Sequence, residues 1–264
     1  MPCGGGRCPL DILTPVEITA IRRCRQEFLS QIITLAPDVF AWHDYLLPHR
    51  HFDPAVLYYR HQLSLLERPE ELRGRAVMDV GAFIGDSALV LRHYTDGPIY
   101  CFEPQSDNYQ LLQRTISLNA CREVLAVNQA LGSRSGQQAI VRAESSSALN
   151  PEQSPMHDQL AQQPREQVQV TTLDDFVRGL GLDIGLIKVD VEGFEQEFLA
   201  GARDTISTHR PVLLLSIYHN ADDFLDIKPL IESWDLDYSF RISHPPLERS
   251  FINETLLICE PRRN

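Results

Sequence analysis

Acidic or polar residues close a series of short apolar runs along this chain. Asp79-Val80-Gly81 ends one run, and Glu103-Pro104 ends the next. Asn128-Gln129-Ala130, Asp190-Val191-Glu192-Gly193 and Tyr218-His219-Asn220 end three more. Side chains of these types can take a proton from a hydroxyl, balance a cation or hydrogen-bond a sugar diol. In an open α/β sheet a ligand binds beyond the carboxyl ends of the strands, near the point where strand order reverses. A purely structural sheet has little reason to end nearly every strand this way.

The first turn reads Asp79-Val80-Gly81-Ala82-Phe83-Ile84-Gly85-Asp86-Ser87. Gly81 and Gly85 permit a sharp strand-to-helix bend and close approach of backbone to a ligand. The pattern is not G-x-G-x-x-G, and no phosphate-binding lysine follows it. Asp79 and Asp86 place negative charge where a pyrophosphate would need none, so a cationic ligand suits the turn better. A nicotinamide-dependent oxidoreductase is disfavoured on the same grounds. Glu103 lies 24 residues beyond Asp79, a spacing at which a carboxylate can accept two hydrogen bonds from a ribose.

Asp190 and Glu192 are expected near the reacting groups, and the competing reading is that they cap the helix that follows. Lys188 is expected to balance this acidic cluster. His219, after the most apolar run, is a candidate general base, since an unperturbed imidazole titrates near pH 6.5. Asp190, Glu192 and His219 could also hold a hard divalent cation. No fixed spacing motif supports that, so no metal ligands are assigned. Glu254, at the start of the last strand, is the remaining carboxylate candidate.

These residues need a frame. From Arg75 onward strands and helices alternate: strands at 76–80, 99–102, 124–128, 168–171, 186–189, 211–217, 238–242 and 255–259, with helices between. That predicts an α/β fold with a largely parallel sheet covered on both faces. Gln137–Arg142 reads as the return arm of a hairpin after the 124–128 strand. A single helix is expected from Phe194 to Thr208. Residues 142–168, rich in Ser, Pro and Gln, read as a loop or lid. Residues 1–73 read as a helical extension, with one helix from Val16 to Leu35 behind a Thr14-Pro15 cap and a second from Pro54 to Leu66. The aromatic and histidine content of this extension suits either packing against the main domain or a wall of the substrate pocket.

The 264 residues carry a net charge of -12, which argues against a nucleic-acid backbone or an anionic membrane as main partner. No signal peptide or membrane-length apolar run is evident. The six cysteines are scattered without C-x-x-C pairs, as in a reduced, cytoplasmic protein.

The run Asp79–Asp86, then Phe102-Glu103-Pro104, Ala130-Leu131-Gly132, Val170–Asp174, Ile187-Lys188-Val189-Asp190-Val191-Glu192-Gly193-Phe194-Glu195 and Glu254–Leu257 together resemble the FkbM family of S-adenosylmethionine-dependent methyltransferases, over roughly residues 75–260. The resemblance implies a class I Rossmann-like fold with seven mostly parallel strands and an antiparallel last strand. It implies S-adenosyl-L-methionine as cofactor and methyl transfer to a hydroxyl of a sugar, glycan or secondary metabolite. Cofactor contacts would come from Asp79, Gly81, Ala82, Phe83, Gly85, Asp86 and Ser87 in the first turn, Glu103 and Pro104 at the ribose, Gln129 and Ala130 at the adenine, and Asp190. Asp190 and His219 would be catalytic, and Glu192, His219 and Glu254 would meet the substrate. Alternatives are a non-catalytic module that binds the same cofactor and transfer to a nitrogen.

Overall fold

The computed structural model describes residues 13–141, 165–247 and 253–262. The chain opens with α1 (Pro15–Glu27), started by a capping box in which Thr14 and Glu17 satisfy each other's backbone N–H groups. The expected helix from Val16 to Leu35 stops there. Ile33–Ala36 instead forms β1, which pairs with β2 (Val39–Trp42), and β2 pairs with β3 (Tyr45–Leu47), in a small antiparallel sheet. The expected helix from Pro54 to Leu66 is also absent. One wide turn covers Pro54–Tyr58, and Arg60, His61 and Gln62 then take left-handed backbone with φ of 53°, 48° and 56°. Such conformations cost roughly 1–2 kcal/mol per residue. Here the fully buried Leu57 and Leu63 on either side hold them, so tertiary packing overrides local preference.

The main domain follows the expected alternation. In chain order it contains β4 (Ala76–Val80), α2 (Asp86–Leu91), β5 (Ile99–Phe102), α3 (Ser106–Leu118) and β6 (Val124–Val127). After these come β7 (Ala130–Leu131), β8 (Gly136–Val141), β9 (Arg165–Thr171), α4 (Leu173–Val177), β10 (Ile184–Val189), α5 (Glu195–Ala200) and α6 (Arg203–His209). It ends with β11 (Val212–Ser216), α7 (Ala221–Glu232), β12 (Tyr238–Ser243) and β13 (Leu256–Pro261). The seven-stranded sheet runs β12-β13-β11-β10-β4-β5-β6, and β13 is antiparallel to both of its neighbours.

Alternate side chains of the central strands feed two cores. Val77, Leu186, Leu214 and Ile258 pack with α2, α3 and the N-terminal extension. Met78, Val80, Ile187, Val189, Leu213 and Leu215 pack with Leu173, Phe198, Ile206 and Ile227 on the other face. The extension is also tied down by hydrogen bonds: Leu46 N–H to Asn119 Oδ1 (2.9 Å) and Arg68 Nη2 to the Pro261 carbonyl (2.6 Å).

Three expectations change in detail. β8 pairs with β9 across residues 142–164, which lie outside the described residues, and not with β6. The expected 165–168 end of the loop is therefore strand. The helix expected from Phe194 to Thr208 breaks at Gly201, where the chain passes so close to the Gly132 carbonyl that a Cβ would lie 2.0 Å from its oxygen.

Candidate active site

Strands β4, β5 and β6 step outward on one side, while β10 and β11 lie on the other, so strand order reverses between β4 and β10. A cavity of about 200 Å³ opens at their carboxyl ends, where such sheets bind ligands. The two strands meet tightly at this point. A Cβ on Gly81 would sit 1.9 Å from the Asp190 carbonyl oxygen, and Gly81 has φ +77°. The glycine is thus required by strand packing, a reason that sequence reading did not offer.

One half of the cavity is built by β4, β5, β6 and the turns after them. Glu103 is 3% exposed and its two carboxylate oxygens accept the Phe83 N–H (3.0 Å) and the Gln105 N–H (2.9 Å). Burial pushes its carboxyl up to about 8, against the pull of those backbone N–H groups. Asp86 is buried, accepts its neighbour's Ser87 N–H (3.0 Å), and is pushed up to about 7 by burial and by the nearby Asp53. Below the floor, fully buried Asp79 pairs with Lys188 Nζ at 3.1 Å, and the same ammonium donates to the Gly81 carbonyl at 2.8 Å. Burial disfavours the Lys188 charge, but Asp79 and Asp190 outweigh it and raise its pKa.

The other half joins four separated segments. Asp53 and His61 come from the N-terminal extension, Asp190 and Glu192 from the end of β10, Tyr218 from the end of β11 and Glu254 from the approach to β13. The Tyr218 hydroxyl lies 3.3 Å from both Asp190 Oδ1 and Glu254 Oε1. Burial leads the upward shift of Glu192 to about 7 and of Glu254 to about 8, with Asp190 adding to both. Behind this wall, the His219 ring lies among carboxylates: Nδ1 is 2.9 Å from Glu195 Oε1, and Nε2 is 3.3 Å from Asp190 Oδ1 and 3.6 Å from Glu192 Oε2. Burial alone would lower its pKa, but the hydrogen bond and charge of Glu195, then the charges of Asp190 and Glu192, raise it to about 10.

Most of the expected site residues converge. Gly81, Phe83, Asp86, Ser87, Glu103, Pro104, Gln129, Ala130, Asp190, Glu192 and Glu254 all line the cavity. Asp79, Ala82, Gly85 and His219 do not; they stand behind the wall. Gly85 is favoured by its left-handed backbone (φ +84°), and a Cβ there would also press on the end of the Leu112 side chain at 2.6 Å. Asn128 is structural, donating to the carbonyls of Glu103 (2.9 Å) and Pro104 (3.1 Å). Sequence reading passed over Asp53, Tyr218 and Glu195. The proximity of Asp53 and His61 to the β10 end has no signal in local spacing, although the histidine-rich extension hinted at a pocket wall.

Fold, switch-point cavity and acid-ended strands define a class I methyltransferase, the class that uses S-adenosylmethionine. The chain belongs to the FkbM methyltransferase family, whose methyltransferase FkbM domain matches residues 79–242. A comparison with curated proteins gave no match. Among solved structures, the methyltransferase FkbM from Methylobacillus flagellatus is 23% identical with a TM-score of 0.57, covering 79% of this chain and 48% of that one. This chain thus spans about half of that protein. The METTL16 MTase domain matches at 9% identity and TM-score 0.51, covering 94% of this chain and 80% of that one. An rRNA methylase from Streptococcus thermophilus matches at 13% identity and TM-score 0.48, covering 81% of this chain and all of that one. No described helix is long and apolar enough to cross a membrane.

Proposed function

We propose that this chain is an O-methyltransferase acting on a hydroxyl of a sugar, glycan or secondary metabolite, with the β4–β6 half of the cavity holding S-adenosylmethionine and the other half holding the acceptor. The observation that carries this reading is the two-sided cavity at the β4/β10 switch point. Its chemistry fits the donor. Six carboxylates line it among the described residues, against Lys188 as the one lysine or arginine, and Lys188 is already paired with Asp79. A sulfonium and an ammonium suit such walls.

When bound, S-adenosylmethionine supplies an electrophilic methyl group, so the protein has chiefly to align the acceptor oxygen, exclude water and remove a proton. The Glu103 carboxylate, held by the Phe83 and Gln105 N–H groups and by the Asn108 side chain, is assigned to the ribose diol through its remaining acceptor capacity. Gln129 and Ala130 are assigned to the adenine. Asp79 acts at one remove, by fixing Lys188 and through it the Gly81 turn. Glu192, brought close to neutral pH by burial, accepts the acceptor's proton, and Asp190 orients the hydroxyl. His219 is a positioning residue, because an imidazolium has no free lone pair with which to take a proton. Glu254 and Tyr218 complete the acceptor wall. Nucleic acid is not the acceptor on this reading, since phosphates would face those carboxylates.

Isothermal calorimetry with S-adenosylmethionine and S-adenosylhomocysteine tests the first step. Both are expected to bind, and Glu103→Ala is expected to weaken binding roughly ten- to a hundredfold, the loss of hydrogen bonds to a charged group. No heat with either nucleoside would overturn the reading. Unchanged affinity in the variant would remove Glu103 from the ribose. Labelled methyl recovered in an alkali-stable ether supports oxygen as acceptor atom; label on nitrogen, or none in any product, refutes it.

A further inference from the structure

We propose that the acceptor half of the cavity binds a protonated amine, so that the acceptor is an amine-bearing polyol such as an amino sugar. This rests on the division into donor and acceptor halves proposed above. Asp53, Asp190, Glu192 and Glu254 reach this space from three parts of the chain, and no arginine or second lysine lines it among the described residues. The nearest ammonium, Lys188, is held by Asp79 at 3.1 Å and by the Gly81 carbonyl at 2.8 Å. His219 behind the wall offsets one negative charge through Glu195, Asp190 and Glu192. The donor's net positive charge has Asp86 and Glu103 on its own side. A surplus of half-buried carboxylates therefore remains where the acceptor must sit.

A second observation comes from the extension. His61 is 4% exposed, lines the same cavity, and its Nε2 has no hydrogen-bond partner. A buried polar atom without a partner costs free energy, and native proteins rarely leave one so. Three successive left-handed residues, Arg60 to Gln62, hold this ring against the cavity, and strain of this kind concentrates at ligand sites. Burial and the Lys188 charge keep His61 neutral, lowering its pKa to about 3, so the ring offers a hydrogen bond without repelling a cation. The carboxyls respond as uncompensated charges do. Glu192 and Glu254 are shifted upward to about 7 and about 8, with burial as the largest cause, while Asp53, which accepts the Ala55 N–H at 2.6 Å, is shifted in the same direction. The protein without ligand thus carries protons that an ammonium would replace.

The full chain, saturated with S-adenosylhomocysteine, is titrated at pH 7 with glucosamine, galactosamine and a diaminocyclitol, each beside its N-acetylated form. Binding is followed by calorimetry in two buffers of different ionisation heat. At least one amine is expected to bind tenfold or more tightly than its acetylated form, with release of protons. Asp53→Asn and Glu254→Gln are each expected to shrink that preference, and a melting temperature raised by S-adenosylhomocysteine verifies that each variant folds. Equal or tighter binding of the acetylated forms overturns the inference, as does an absence of binding by every amine. If S-adenosylhomocysteine itself fails to bind, the methyltransferase reading falls first; if it binds and the amines do not, only the amine site falls.

Discussion

The two halves of the cavity are both acidic, yet their carboxylates stand in different conditions. In the β4–β6 half each has a close, fixed partner: Glu103 accepts two backbone N–H groups, Asp86 accepts its neighbour's, and Asp79 faces Lys188. In the other half Asp53 accepts the Ala55 N–H, but Glu192, Glu254 and Asp190 face a tyrosine hydroxyl, a histidine and one another. The first half is braced by its own backbone before any ligand arrives. The second is assembled from distant segments, and its charges depend on what is bound. The β4–β6 half is therefore preorganised, while the other half, assigned above to the acceptor, is held at a cost in stability, as functional sites often are.

The largest expected effect tests the brace under the donor side. Lys188→Met leaves Asp79 buried without its partner and is expected to destabilise the protein by about 3–5 kcal/mol in urea unfolding. A loss below about 1 kcal/mol would show that the pair does not matter. The sharpest contrast applies one conservative change to both halves. Glu103→Gln sets an amide N–H against one of two backbone N–H donors, so a loss of about 1–3 kcal/mol is expected. Glu254→Gln relieves repulsion with Asp190 and is expected to stabilise the ligand-free protein at pH 8.5 by about 1 kcal/mol. The same sign for both variants would erase the distinction between the halves.

Proton linkage gives a smaller, global effect. Asp86 and Glu192 are raised to about 7, and Glu103 and Glu254 to about 8. The folded state thus holds protons that the unfolded chain has already released above about pH 4.5, and its stability falls as pH rises from there to about 8. His219 adds to the same trend: its contribution is full below about pH 6.5 and is lost as pH rises through about 10. Melting temperatures at pH 6 and pH 8.5 without ligand are expected to differ in favour of pH 6. The reverse order would show that the carboxyls are not protonated in the fold. The smallest effect is at Gln129, assigned above to the adenine, where Gln129→Ala is expected to weaken S-adenosylhomocysteine binding about two- to tenfold, the worth of one neutral hydrogen bond. A larger loss would give Gln129 a structural part as well.

Local pattern brought out the β4–β6 half of the cavity because its logic is local. Asp79, Gly81 and Glu103 each end or follow a strand whose apolar run is visible, and right-handed connections then place those ends along one edge. Within the same motif the reasons differed from expectation. Gly81 is glycine because the Asp190 backbone crowds it, and Gly85 because its backbone is left-handed, which no single-chain spacing announces. Residues 54–66 went further astray. Their apolar spacing suits a helix, but the left-handed run at Arg60–Gln62 exists only because the surrounding core accepts Leu57 and Leu63.

The amino-acid order by itself determined that this chain builds an alternating α/β sheet with carboxylates at its strand ends, because apolar period and turn residues act over a few positions. Only the tertiary structure decided which of those carboxylates share a cavity, which have partners, and that Asp53, His61 and Tyr218 join them. Burial, charge pairing and pKa depend on distances between segments up to about 200 residues apart, and those distances exist only once the sheet is closed by its packing.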